Sequence, residues 1–309
     1  MYSPGQIEIT QRAQLQGHAA AVFALSRGPE YRYFYSGAGD GIIAAWDLEN
    51  PGSAQAFARM QGNIFSLALS GNDEVLLAGS MQGQIAVFDR KNSGLRYTID
   101  RPGKSVFSLC VIPGETTWIA GCQDGTLLVG STDSSEHLQN IPVAASSLRA
   151  LALSQDGGKL AIASSDHRIY ILDMAEMQVT RVLTGHTNSV FSLHWLHQDQ
   201  ILLSGSRDAT LRVWDMTTIA AHGSEIAAHM FTINDIAVHP EGTLFATAGR
   251  DKHIKIWDAQ NFSLLRVIDK EKYAGHINSV NKLFWSRWNN CLISCGDDRS
   301  ILVWDIGIH

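Results

Sequence analysis

Cysteine is scarce. Cys110, Cys122, Cys291 and Cys295 are too few to staple a 309-residue chain with disulfides. They fall in apolar, strand-like segments, where a thiol behaves as a small buried hydrophobe. Long apolar runs are missing as well: nothing approaches the roughly 18 residues of a spanning helix, so no membrane partner is expected. There is no Lys/Arg run, and the formal net charge is -6. That balance gives no electrostatic reason to expect nucleic acid or an anionic bilayer as the main partner. The opening residues, Met1 to Gln6, carry neither a basic nor an apolar leader segment, so no secretory signal is expected and the expected location is cytoplasmic. The sequon Asn261-Phe262-Ser263 carries little weight without a secretory route. Sustained helical periodicity is absent, as are Walker, Gly-x-Ser-x-Gly and metalloprotease patterns.

What the chain does have is repetition. Its length alone would suggest about two domains, but an internal period overrides that prior. An Asp in a short turn between two apolar runs stands at Asp40, and the equivalent positions are Gln82, Asp124, Asp166, Asp208, Asp251 and Asp298. Neighbouring positions differ by 42, 42, 42, 42, 43 and 47. Six residues after each lies Trp46, Phe88, Gly130, Leu172, Trp214, Trp257 or Trp304, and Asp follows six of the seven. Each repeat opens on an apolar run such as Val22-Phe23-Ala24-Leu25 or Val190-Phe191-Ser192-Leu193. Four residues before the first of these stands His18, with His186, His229 and His276 as equivalents. Between these marks, short β-branched and aromatic segments alternate with Gly, Asn, Asp and Ser clusters, as short strands and turns do.

The Gly-His and Trp-Asp pairs at fixed spacing resemble the WD-repeat (WD40) family, and the resemblance covers nearly the whole chain. It implies an all-β, seven-bladed β-propeller, a single domain over residues 1–309. One four-stranded unit cannot bury both of its faces, so blades pack face to face. The last repeat ends soon after Trp304-Asp305, short of an outer strand, while a strand-like segment from Ile7 to Leu15 precedes His18 unclaimed. The resemblance implies that this segment completes the last blade and removes a sheet edge.

Four repeats carry a His, a Ser or Thr, an Asp and a Trp: His18, Ser36, Asp40, Trp46; His186, Ser204, Asp208, Trp214; His229, Thr247, Asp251, Trp257; and His276, Ser294, Asp298, Trp304. The first three residue types also make a hydrolase triad. Four radial copies at one spacing argue against an active site, and the resemblance implies structural tetrads in which each buried polar group finds a partner. No catalytic residue, metal or cofactor is therefore expected. Gly37, Gly39 and Gly41 surround a turn and open no helix, so they cradle no phosphate. His194 and His197 are three apart on a strand and do not converge. The second, third and fourth repeats have lost most of the tetrad, holding Met60, Pro102 and Ala144 for His and Ala78, Ala120 and Ile162 for the hydroxyl. They are expected to rely on apolar packing alone and to be softer.

The resemblance implies that a partner docks on the face bearing the turn Asp residues. The position after the first inner-strand anchor reads Phe23, Phe65, Phe107, Arg149, Phe191, Asn234 and Asn281. The position before the turn Asp includes Met81, Arg207 and Arg250. Phe on one side and Arg on the other would suit a peptide with hydrophobic anchors and a carboxylate. The expected function is a non-enzymatic protein-interaction scaffold, a monomeric propeller within a larger complex. The alternatives are a component of an RNA- or ribonucleoprotein-associated complex and a small-molecule-binding or enzymatic propeller.

Overall fold

The computed structural model describes residues 6–218 and 223–308; Met1 to Gly5, most of the segment read for a leader, lie outside them. Seven antiparallel sheets of four strands account for nearly all of the chain. Blade 5 shows the pattern, running from the inner strand Val190–Leu196 through Ile201–Ser206 and Thr210–Asp215 to the outer strand Ser224–Ala227. Each inner strand touches the inner strand of the next blade, and the seventh, Val280–Trp285, touches the first, Val22–Arg27, so the ring is closed. The strand Ile7–Leu15 pairs with Ile301–Ile308 and supplies the outer strand of blade 7. Its Ile7, Ile9 and Leu15 are buried there.

Burial explains why single repeats could not stand alone. In the second strand of blade 2, Val75–Ser80, all six residues are buried. A strand alternates sides, so both faces of the sheet are covered by neighbouring blades. The outer strand Gln55–Arg59 has no fully buried residue and is the polar rim of blade 1.

The turn holding each Asp is left-handed at the following residue. Gly41, Gly83 and Gly125 take it in blades 1–3, with His167, Ala209, Lys252 and Arg299 in blades 4–7. At Gly125 a Cβ would come within 1.9 Å of the Ala144 carbonyl oxygen, so here glycine is required by space as well as by backbone angle. The longer spacing between Asp251 and Asp298 is taken up by a one-turn helix, Lys270–Tyr273, with Asp269 at its N-cap.

Candidate functional site

Every inner strand carries a bulge at the same place. Pairing with the second strand shifts between Val22 and Ala24, Ile64 and Ser66, Val106 and Ser108, Leu148 and Ala150, Val190 and Ser192, Ile233 and Asp235, and Val280 and Lys282. The bulged residue in each case is Phe23, Phe65, Phe107, Arg149, Phe191, Asn234 or Asn281. A bulge frees one residue from the ladder and re-aims its side chain. Beyond it the pair is re-joined by an amide just before the turn Asp, as in Arg207 N–H to Ser189 O at 2.9 Å and Arg250 N–H to Thr232 O at 2.9 Å. All seven bulged side chains are half-buried.

From blade 1 to blade 5 they form an unbroken run of contacts. Phe23 meets Phe65 edge-on at 5.0 Å between ring centroids, and Phe65 stacks on Phe107 at 5.8 Å. The Arg149 guanidinium lies 4.1 Å from the Phe107 centroid and 5.2 Å from that of Phe191. Asn234 Nδ2 donates to Val280 O at 2.8 Å, and Asn281 Nδ2 to Val22 O at 3.0 Å, each reaching the next blade. The expected division into a Phe side and an Arg side is therefore corrected: Arg149 sits between two rings within the aromatic arc. Arg207 and Arg250 are exposed, and so is Met81, against whose sulfur Asn63 Nδ2 lies at 3.8 Å.

The four tetrads share one geometry. His186 Nδ1 lies 2.9 Å from Asp208 Oδ2 and Nε2 lies 2.7 Å from Ser204 Oγ, which accepts from Trp214 Nε1 at 2.8 Å. Blades 1, 6 and 7 repeat this through His18, Ser36, Asp40 and Trp46, through His229, Thr247, Asp251 and Trp257, and through His276, Ser294, Asp298 and Trp304. Burial alone would raise the Asp298 carboxyl, but the His276 hydrogen bond and charge and the Ser300 donors outweigh it and hold the pKa at about 2. Asp251 is held at about 2 by the same balance, with His229 as donor. Each carboxylate also accepts the amide of the residue after the His: Ala19, Thr187, Met230 and Ile277. With His, Asp and hydroxyl all satisfied internally, the group is bonded as a brace between turn and loop.

Blades 3 and 4 do not rely on apolar packing alone. Arg101, beside the tetrad's vacant His position, places Nη2 3.0 Å from Asp124, and Lys104 Nζ is 2.8 Å from the same carboxylate. Trp118 Nε1 donates to Tyr97 Oη at 3.1 Å and fills the space over Gly130, where a Cβ would lie 2.3 Å from its ring. In blade 4 Tyr170 Oη donates to Asp166 at 2.5 Å. The polar bond is kept, with its members drawn from different positions.

His194, expected as a core or surface strand residue, is half-buried, and burial lowers its pKa to about 4, with the Asp235–Lys282 pair nearby. His197 Nε2 lies 2.7 Å from the Ala259 carbonyl oxygen instead. The four thiols are free; Cys291 stands just before its strand, and Cys110 is half-buried.

Sequence reasoning passed over Met230, Phe231 and Ile277, which are 76%, 58% and 52% exposed. The signal was available: Met230 and Ile277 directly follow tetrad histidines, at a position whose amide the Asp captures and whose side chain is turned outward. Phe231 precedes Thr232, whose carbonyl holds Arg250. Blade 6 thus carries Met230, Phe231 and Arg250, with Arg207 in blade 5 and Ile277 in blade 7.

Seven braced or packed blades closed by an N-terminal strand define a WD-type propeller. The family model described as "WD domain, G-beta repeat" matches residues 9–47, 177–215, 221–258 and 269–305, the four stretches that contain the tetrads of blades 1, 5, 6 and 7. The chain belongs to the WD-repeat family. It is similar to protein HIR1 of Cryptococcus neoformans, at 24% identity over 55% of this chain and 22% of that protein. It also resembles nuclear distribution protein PAC1 of Arthroderma benhamiae, at 31% over 48% of this chain and 33% of that one. The anaphase-promoting complex subunit cdc20 of Dictyostelium discoideum is 28% identical over 51% of this chain and 32% of its own length. The chain thus spans between a fifth and a third of the length of these relatives.

Proposed function

We propose that this propeller is a non-catalytic platform that takes a segment of another protein across the mouth of its channel, with apolar anchors on the Phe arc and carboxylates at Arg149 within that arc and at Arg207 and Arg250. The observation that carries this is a charge left open. Arg149, Arg207 and Arg250 face no carboxylate among the described residues, unlike Arg101 and Arg212, which are paired with Asp124 and Glu225. In a chain of net charge -6, three unpaired arginines on consecutive blades of one face, beside half-buried aromatic rings, are complementary to an acidic and apolar segment. One of the similar proteins is named as a subunit of a larger complex, which supports the same reading.

Affinity capture with mass spectrometry on the wild-type chain identifies the partner, and capture is then repeated with Arg207→Glu/Arg250→Glu and with Phe65→Ala/Phe191→Ala. A few central aromatic and Arg side chains usually carry about 2 kcal/mol or more each, so either pair should weaken binding by about a hundredfold or more. Both arginines are exposed and outside the tetrads, so Tm should hold in the Arg variant. A partner retained by the Arg variant at wild-type affinity overturns the proposal.

A further inference from the structure

The docking reading leaves open what the unpaired cations hold. Resting on that reading, we infer that Arg149 is a preformed seat for one oxyanion, a carboxylate or phosphoryl group carried by the docked segment. It is the one charged side chain among the seven bulged residues. Blade order places Phe107 before it and Phe191 after it, at 4.1 and 5.2 Å from the guanidinium carbon. Nε donates to Ser165 Oγ at 2.8 Å, which fixes the plane of the group. With its sides flanked by rings and Nε engaged, the terminal nitrogens are left to donate through the edge. A guanidinium edge presents two parallel N–H bonds, the geometry a carboxylate or phosphate takes up in its own plane.

The energetics point the same way. Burial, followed by the nearby Arg207 charge, pushes the Arg149 guanidinium below its ordinary pKa. Arginine does not give up its proton in proteins, so the group stays a half-buried cation beside a second one. Blade 3 shows the contrasting case, where Arg101 is neutralised within the fold by Asp124. At Arg149 only an incoming anion can do this, and it would gain from Arg207 as well. A cationic side chain meets two like charges there, and an apolar anchor leaves both uncompensated. The acidic Asp297, held by Asn281 at 2.8 Å in blade 7, lies away from blades 4 and 5 and does not compete.

The test is an arginine Nε–Hε NMR titration of the full chain with sodium acetate and, separately, inorganic phosphate, at ionic strength matched by sodium chloride. Arg149 should shift saturably with at least one anion below about 100 mM, the range of contacts worth a few kcal/mol at most. The arm that saturates first tells carboxylate from phosphoryl. Read at the backbone amide of Ser165, which persists in the variants, Arg149→Gln should abolish the response. Arg149→Lys, which keeps the charge without the fork, should weaken it about tenfold. Arg207→Gln should weaken it severalfold. An Arg149 signal that only follows chloride, or a saturable response elsewhere that survives Arg149→Gln, overturns the seat. In that event, capture still lost in Arg207→Glu/Arg250→Glu would leave the docking face standing, so the two failures are distinguishable.

Discussion

Removing the Ser204 hydroxyl is the most searching test of how the braced blades are held. That oxygen is fully buried, donates to His186 Nε2 at 2.7 Å and accepts from Trp214 Nε1 at 2.8 Å. Ser204→Ala deletes one atom and orphans two buried partners. Each orphan costs about 1–3 kcal/mol, so the loss should be about 2–6 kcal/mol, a large share of the 5–15 kcal/mol that usually holds a domain. Blade 2 supplies the control, since it buries Met60, Ala78 and Phe88 at the same positions, with Gln82 in the turn. Converting blade 5 to that set, with His186→Met, Ser204→Ala, Asp208→Gln and Trp214→Phe, removes the partners together. The cost should then fall well below the sum of the four single changes, because the penalty lies in unmet hydrogen bonds. Urea unfolding reads the global change, and native-state hydrogen exchange of blade 5 amides reads the local one, which matters where blades open separately. A Ser204→Ala loss under about 0.5 kcal/mol, or strict additivity of the four changes, would refute the reasoning.

Acid should weaken the same braces. Folded Asp251 and Asp298 titrate at about 2, below the roughly 3.9 of an unfolded Asp, so the unfolded chain takes up protons first as pH drops. Their stabilisation is complete above about pH 5 and is lost toward pH 2. Burial likewise holds His229 below its ordinary pKa, so its contribution is present above about pH 6.5 and declines on acidification. Asp298→Asn should flatten the pH dependence of stability between about pH 5 and 2, by up to about 1.4 kcal/mol per pH unit; an unaltered slope counts against the assignment. Hydrogen exchange should separate the loops: the Thr187, Met230 and Ile277 amides are tied to carboxylates, while the equivalent Gln61 amide of blade 2 has no acceptor among the described residues. Gln61 should exchange at least about tenfold faster, and equal rates would show that the braces do not hold the loops.

The period was legible in the chain as spacing, and the family resemblance carried by that spacing implied the blades, the tetrads and the closing strand. His to Asp is 22 residues, His to hydroxyl 18 and hydroxyl to Trp 10 in every intact blade, so one sheet geometry writes the same intervals four times. The substitutes in blade 3 kept no such interval. Arg101 occupies the place beside the missing His, and Tyr97 answers Trp118 from the outer strand of the preceding blade, so they become partners only once strands are paired and blades packed. The bulges were equally hidden, because alternation in sequence does not say where a ladder skips a residue. Arg149 could be read as a position on the face. That its guanidinium lies between Phe107 and Phe191, about 42 residues away on either side, was decided by the packing of three neighbouring blades. Local chemistry repeats along the chain, whereas contacts between blades depend on how each sheet is turned against the next.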